Sequence, residues 1–283
     1  MNKTDITFVT SQKITLHFTQ TKTAAPRKQL TIVYFHGGGL FCGSRHDLPE
    51  PYRQLLLQAG FDLLALDYPF APECSLREIH ASVQESMRFL FAENLIPAGE
   101  RYALFGRSAG GYLSFMTCSW LLETKLPQPA ALISLYGYAQ LTDPAFHTPD
   151  KYYLSLGKIS AESCQKLLRS APIIESPIEE RLCLYIRARQ EGSWIDTLCQ
   201  GEDPARFGVL ESQYPLFPPV YMAACTMDPD VPYRISKQLK RNLPHAVLTT
   251  LYESSHDFDR DLTQKTGEAV YQEIIAFLSS LSN

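Results

Sequence analysis

Gly106-Arg107-Ser108-Ala109-Gly110 decides how this chain folds. An apolar run, Tyr102-Ala-Leu-Phe105, leads into it. Gly111-Tyr-Leu-Ser-Phe-Met-Thr-Cys-Ser-Trp-Leu-Leu122, which reads as a buried helix, leads out. The order is strand, sharp turn, helix, with a serine at the apex. So tight a turn drives its central residue into sparsely populated backbone angles, and small neighbours let the flanking elements approach closely. The hydroxyl is left above the sheet with a helix N-terminus behind it, where a nucleophile belongs. The same five residues also fit a glycine- and serine-rich loop without chemistry. The rest of the chain must therefore supply a base, an acid and donors for an oxyanion.

Working outward, Leu30-Thr-Ile-Val-Tyr-Phe35 is almost continuously apolar, as in a strand buried on both faces of a parallel sheet. Ahead of it, residues 6–10 and 13–19 alternate around Ser11-Gln12 and predict a hairpin, ended by the polar stretch 21–28. Behind it come a helix near 49–59, a strand at 61–67, an amphipathic helix at 75–93, the strand at Tyr102, the helix after Ser108 and a strand at 131–137. Such alternation implies right-handed βαβ units and helices on both faces of the sheet. It then stops. From 138 to 215 no convincing strand occurs, and helical patterns sit at 161–170, 178–191 and 194–199. That is too long for a plain connection and predicts an inserted helical cap. Strands at 219–226 and 246–253 and helices at 232–243 and 266–281 resume the alternation. The expectation is an α/β fold with a mostly parallel central sheet of about eight strands. Residues 1–137 and 216–283 form its core, and 138–215 the cap.

Bulk properties narrow the function. A chain of 283 residues buries roughly three quarters of its unfolded surface, so no metal or disulfide staple is needed. Acidic and basic residues nearly balance at a net charge of −4 without a Lys/Arg run, which argues against nucleic acid or an anionic membrane as partner. The seven cysteines (42, 74, 118, 164, 183, 199, 225) are odd in number and lack a Cys-x-x-Cys pair, so neither zinc spacing nor a disulfide framework is suggested. Met1-Asn-Lys-Thr-Asp-Ile-Thr7 lacks an apolar leader, and no run of about 18 apolar residues occurs. A reducing cytoplasm is the expected home, with no cofactor.

A serine hydroxyl becomes nucleophilic only when a base takes its proton, and the base needs an acceptor to hold its tautomer. In this architecture the partners follow in the order serine, acid, histidine, each on a loop after a core strand. Met227-Asp228-Pro229-Asp230-Val231-Pro232 follows one late strand, and Glu253-Ser-Ser-His256-Asp257-Phe258 follows the other. Both loops belong to the carboxyl edge of the sheet, where such folds place ligands. Six other histidines compete. His17 falls in the hairpin, His80 within a helix, His147 in the cap and His245 before the last strand, while His36 and His46 precede the serine. His256 is therefore the expected base. Asp228, immediately after its strand, is preferred as the acid over Asp230, which could instead cap the helix starting at Pro232. Asp257 and Asp259 read as solvent-facing residues or local ion-pair partners.

The oxyanion donors are expected from His36-Gly37-Gly38-Gly39-Leu40, directly after the 30–35 strand. Consecutive glycines let backbone N–H groups approach a substrate. The N–H groups of Gly38 and Gly39 are assigned to the hole, with that of Ala109 as the third. A dinucleotide fingerprint fits only its first half here: Cys42 stands where the last small residue should be, and Gly43 is one place late.

Together, His36-Gly-Gly-Gly39, Asp67-Tyr68-Pro69-Phe70-Ala71-Pro72-Glu73 and Gly106-Arg-Ser-Ala-Gly110 resemble the α/β-hydrolases of the hormone-sensitive-lipase-like esterase group. The resemblance covers about residues 30–137 and 216–281. It implies an acyl-enzyme mechanism with Ser108 as nucleophile, His256 as base and acid, Asp228 as its orienter, and Gly38, Gly39 and Ala109 as oxyanion donors. Two departures stand out. The group usually carries an acidic residue before the serine and an arginine after the Asp-Tyr pair; here these are Arg107 and Pro69. Arg107 either pairs with an acidic substrate or forms an ion pair behind the elbow. Asp228-Pro-Asp-Val-Pro232 looks more like the prolyl-oligopeptidase side of the superfamily.

Within the cap, Tyr152, Tyr153, Tyr185, Trp194, Arg187 and Arg189 could line a substrate pocket. The plainer reading makes Leu182, Tyr185 and Ile186 an apolar docking stripe with the arginines in solvent. The sequence thus predicts a carboxylesterase-like serine hydrolase for a small ester, without metal. An amidase or small-peptide hydrolase with the same triad is the alternative, and a non-catalytic binder on a hydrolase scaffold a further one.

Overall fold

The computed structural model describes residues 2–281, so positions 1, 282 and 283 of the expected core lie outside the described residues. Eight strands form one sheet in the order β1-β2-β4-β3-β5-β6-β7-β8. β1 (Asn2–Val9) and β2 (Thr15–Lys22) pair antiparallel, and β2 joins β4 (Asp62–Leu66) antiparallel. All later neighbours are parallel: β3 (Leu30–Phe35), β5 (Arg101–Arg107), β6 (Ala131–Leu135), β7 (Val220–Cys225) and β8 (Ala246–Leu251).

Because side chains alternate along a strand, the unbroken apolar runs feed two cores. Val33, Phe35, Leu104 and Met222 point into one; Ile32, Tyr34, Phe105 and Tyr221 point into the other. Helices α2 (Leu76–Ala92), α3 (Ala109–Leu122) and α8 (Tyr233–Asn242) cover the first face. α1 (Glu50–Gln58) and α9 (Lys265–Ser280) cover the second. α2 starts where its sequence says it should. The Ser75 side chain accepts from the Glu78 N–H, and the Glu78 carboxylate accepts from the Ser75 N–H at 2.7 Å.

Between β6 and β7 lie α4 (Lys151–Ser155), α5 (Ala161–Gln165), α6 (Ile178–Glu191) and α7 (Trp194–Cys199), with 3-10 turns at Pro144–Phe146, Pro204–Phe207 and Glu211–Leu216. α6 and α7 have the bounds expected from their patterns. The helix expected over 161–170 covers only 161–165, and α4 and the 3-10 turns were not anticipated; each is too short to show a period. The N-terminal hairpin runs further than expected, because residues 18–21 of β2 pair with β4 and carry the strand into the polar stretch. No helix among the described residues is long and apolar enough to cross a membrane.

Candidate active site

Ser108 sits between β5 and α3 with φ 52° and ψ −118°, a left-handed conformation that costs a non-glycine residue about 1–3 kcal/mol. The close approach of strand and helix explains the two glycines around it. A Cβ on Gly106 would lie 1.9 Å from the Gly110 carbonyl oxygen, and one on Gly110 would lie 2.1 Å from that of Phe35. The Ser108 N–H donates to the Leu135 carbonyl at 2.9 Å, anchoring the apex to β6.

The loops after β7 and β8 converge on this serine. His256 Nε2 lies 2.8 Å from Ser108 Oγ, and His256 Nδ1 lies 2.8 Å from Asp228 Oδ2. A carboxylate only accepts, so Nδ1 carries a proton, and whenever the ring is neutral it is the Nε2 lone pair that faces the hydroxyl. The other oxygen of Asp228 accepts the N–H groups of Asp230 (2.8 Å) and Val231 (2.9 Å), which locks the carboxylate in place. Burial disfavours charge on His256. Asp228 first, then Asp230, the Asp228 hydrogen bond and Asp257 outweigh that and raise its pKa to about 9. None of the other histidines stands against Ser108. His36 is buried, stacked on Tyr68, with Nδ1 2.7 Å from the Gly37 carbonyl oxygen. His80 bonds the Tyr112 hydroxyl at 3.0 Å, and burial pushes its pKa down to about 4. His147 Nε2 lies 2.7 Å from the Leu141 carbonyl oxygen, and His17 Nδ1 lies 3.2 Å from the Thr7 hydroxyl.

Three expectations need correction. Asp230 does not cap α8, whose N-cap is Pro232 without a side-chain bond. Its carboxylate is buried, with Oδ1 accepting from the Tyr185 hydroxyl at 2.7 Å and Oδ2 3.6 Å from His256 Nε2. Asp259 is neither solvent-facing nor a local partner. Fully buried, it accepts from Arg107 Nη2 (2.9 Å), Tyr136 (2.6 Å) and Tyr271 (2.9 Å), joining β5, the end of β6 and α9. Asp257 does form a local ion pair, with Arg260 at 2.5 Å. Arg189 is the third correction. It is not in solvent but 1% exposed, enclosed by the rings of Phe146, Tyr153, Tyr185 and Trp194.

Arg107 takes the ion-pair role. Behind the elbow its guanidinium meets Asp259, Asp47 (3.2 Å) and the Tyr136 hydroxyl (2.8 Å).

The glycine loop follows β3 and turns back at once, with the Phe41 N–H donating to the Gly38 carbonyl at 3.0 Å. Gly38 has φ 102°, and a Cβ there would meet the Cys42 carbonyl oxygen at 2.0 Å, so only glycine fits. The loop is braced from outside. The Tyr68 hydroxyl bonds the His36 carbonyl at 2.8 Å, and Trp194 Nε1 donates to that of Gly39 at 3.1 Å. Among the described residues the N–H groups of Gly38, Gly39 and Ala109 meet no acceptor.

Gly38, Gly39, Ser108, Asp230 and His256 line one cavity of about 370 Å3. Tyr152, Tyr153 and Tyr185 line it from α4 and α6, along with Leu182 and Ile186, whereas Trp194 packs edge-on behind Tyr185. Leu182, Tyr185 and Ile186 thus face the cavity rather than serving only to dock the inserted helices. Leu156 and Ile178, which complete this apolar wall, gave no signal in the sequence. A hollow of about 440 Å3 between α2, α3 and residues 205–213 holds His80 but neither Ser108 nor His256.

A family model described as alpha/beta hydrolase fold matches residues 32–192. A Staphylococcus aureus (subsp. aureus Mu50) protein of unknown function is 27% identical, with a TM-score of 0.90 covering 99% of this chain and 100% of that one. An esterase of the bacterial hormone-sensitive lipase family shares the fold at 19% identity and a TM-score of 0.67, covering 99% of this chain and 85% of its own. The non-reducing polyketide synthase ausA of Aspergillus calidoustus is 31% identical over 175 residues, which are 58% of this chain but only 7% of that much longer protein.

Proposed function

The chain belongs to the α/β-hydrolase fold family, and on that premise we propose that it is a serine hydrolase that cleaves small carboxylic esters through an acyl-enzyme on Ser108. One observation carries the reading: an unbroken hydroxyl–imidazole–carboxylate chain with both links at 2.8 Å, opening on a cavity beside backbone N–H groups that meet no acceptor among the described residues.

In this reading neutral His256 takes the Ser108 proton through Nε2 as Oγ attacks the ester carbonyl. Asp228 holds the ring and balances the imidazolium that forms. Charge building on the carbonyl oxygen meets the N–H groups of Gly38, Gly39 and Ala109, the last at the N-terminus of α3, where the helix dipole adds to it. The imidazolium returns the proton to the departing alkoxide. Water, deprotonated by the same nitrogen, then attacks the acyl-enzyme and releases the acid and Ser108. Every proton is carried by one nitrogen, so no further acid is required.

Residues 138–215 act as the cap, and Tyr152, Leu156, Leu182 and Ile186 supply the apolar wall for the ester's hydrocarbon part. The seven free thiols suit a reducing cytoplasm, the compartment we assign.

A fluorophosphonate probe is expected to label Ser108, and short-chain p-nitrophenyl esters to be hydrolysed. Ser108→Ala should lose both; labelling or turnover at the native level in that variant rejects the assignment. Matched anilides run alongside test the amidase alternative, and tight ligand binding without labelling would favour a non-catalytic binder.

A further inference from the structure

His256 is flanked by carboxylates on both nitrogens. Asp228 meets Nδ1 at 2.8 Å, and Asp230, two residues on, stands 3.6 Å from Nε2, the nitrogen that must accept the serine proton. Asp230 is not a surface charge screened by water: it is 5% exposed. α6 holds it there. Tyr185 donates its hydroxyl to Oδ1 at 2.7 Å, and Arg189 approaches the same oxygen at 3.4 Å while donating to the Asp230 carbonyl at 3.2 Å. Arg189 divides its charge, since Asp150 also binds it at 3.2 Å, so Asp230 is only partly neutralised. Tyr153 and Tyr138 lie close enough to feel the same carboxylate. The remaining groups facing the imidazole are the Tyr136 ring, Asp257 on its own loop, and Ser108.

We propose that Asp230 is a positioning residue for the base: a second carboxylate, held by Tyr185 and Arg189 of α6, that stabilises the protonated imidazole from the Nε2 side. The proposal rests on the assignment of His256 as general base. An anion beside Nε2 favours the imidazolium both at rest and in the tetrahedral intermediate. In the intermediate that assists catalysis. At rest it withholds the base, because an imidazolium cannot accept the Ser108 proton. Activity then rises with pH through the titration of His256, and α6 sets where that rise falls. With the His256 pKa near 9, only about one molecule in a hundred carries a neutral base at pH 7.

Asp230→Asn removes the charge and keeps both the side-chain shape and the backbone N–H that Asp228 accepts. Two measurements read the result: the pH dependence of kcat/KM, and NMR titration of the His256 ring, assigned by His256→Gln. Both midpoints are expected near pH 9 in the native chain and about one unit or more lower in Asp230→Asn, giving up to roughly tenfold more activity at pH 7 and less at the alkaline plateau. Tyr185→Phe strips a donor from Asp230, leaves its charge less dispersed, and is expected to move the midpoint up. A merely structural role would lower activity in both variants without displacing either midpoint, and unmoved midpoints overturn the proposal. If Asp230→Asn does not fold, Tyr185→Phe decides by the sign of its shift. The NMR titration needs no turnover, so a chain inactive on every ester would sink the esterase reading and still let His256 report on Asp230.

Discussion

Replacing Arg107 by methionine tests the buried network behind the elbow. The guanidinium is 4% exposed and, among the described residues, is the one cation paired with Asp259, which is itself fully buried. Methionine fills much the same volume and leaves Asp259, among the described residues, with the hydroxyls of Tyr136 and Tyr271 as partners. Removing one member of a buried ion pair typically costs about 3–5 kcal/mol, because the remaining charge is stranded away from water. A chain of 283 residues unfolds with an entropy near 0.6 kcal/mol/K, so that loss lowers Tm by about 5–8 °C. The pH dependence follows from the direction of the Asp259 shift. Burial pushes its carboxyl up, but Arg107 and the hydrogen bonds from Arg107, Tyr136 and Tyr271 outweigh burial and hold it below the usual range. A depressed carboxylate contributes stability above its unfolded pKa near 4 and loses it as pH falls through the folded value. Without Arg107 burial dominates, Asp259 takes up a proton on folding, and the deficit is largest at neutral pH and shrinks toward pH 5. Urea denaturation at pH 5, 7 and 8.5 measures it. Arg107→Met/Asp259→Leu, which removes both charges, should recover most of the loss. A deficit under about 1 kcal/mol, one that ignores pH, or a double variant as weak as the single would refute the reasoning.

Two further outcomes are expected. Asp228→Asn keeps the shape of the acid but turns the ring toward the wrong tautomer, so kcat on a p-nitrophenyl ester should fall by about 10⁴ with KM little changed; a loss under tenfold would remove Asp228 from its role. Gly38→Ala places a methyl 2.0 Å from the Cys42 carbonyl oxygen at a left-handed position, which must displace the loop. Steady-state kinetics should then show kcat down by about 10²–10³, and native kcat in a folded variant would argue that Gly38 donates nothing to the oxyanion.

How much of this was legible in the residues depended on range. The elbow was readable because its cause is local: glycines at 106 and 110 are required by contacts within a few residues of Ser108 and by the adjoining strand. The core strands and α6 were readable because their periodicity is a property of contiguous residues. Asp228 and His256 could be named because fold topology sends both loops to one edge, which turns chain order into proximity. Long-range charge pairing was not legible. Nothing near Asp259 announces that Arg107, 152 residues earlier, is its partner, and a charged residue in a loop is ordinarily solvated. Arg189 misled for the same reason. Its polar neighbours in sequence suggested solvent, whereas its cage comes from Phe146, Tyr153, Tyr185 and Trp194, which only folding gathers. α4 was missed because five residues carry no period; the Asp150 carboxylate accepting from the N–H groups of Tyr152 and Tyr153 was its one local sign.

The inserted helices are tied to the site through its backbone rather than laid over it. Arg181 on α6 pairs with Glu73 at 2.7 Å and donates to the carbonyls of Phe41 and Ala71, while Trp194 on α7 holds that of Gly39. A Cβ on Gly39 would meet the Tyr185 ring at 2.5 Å, so the aromatic cluster packs directly on the glycine loop. The same Tyr185 bonds Asp230 on the loop that carries Asp228. One helix therefore packs on the glycine loop and also bonds Asp230 beside the base. Each of these contacts is buried, and breaking any of them would strand a charge or an aromatic face, a larger penalty than a surface contact carries. A segment held in this way cannot swing off the core as a free lid without disordering the glycine loop. In the proposed reading, substrate therefore reaches Ser108 through the cavity that α4, α6 and residues 254–257 line. Leu156 and Ile186, which line that cavity, then bear on which esters fit it in the proposed reading.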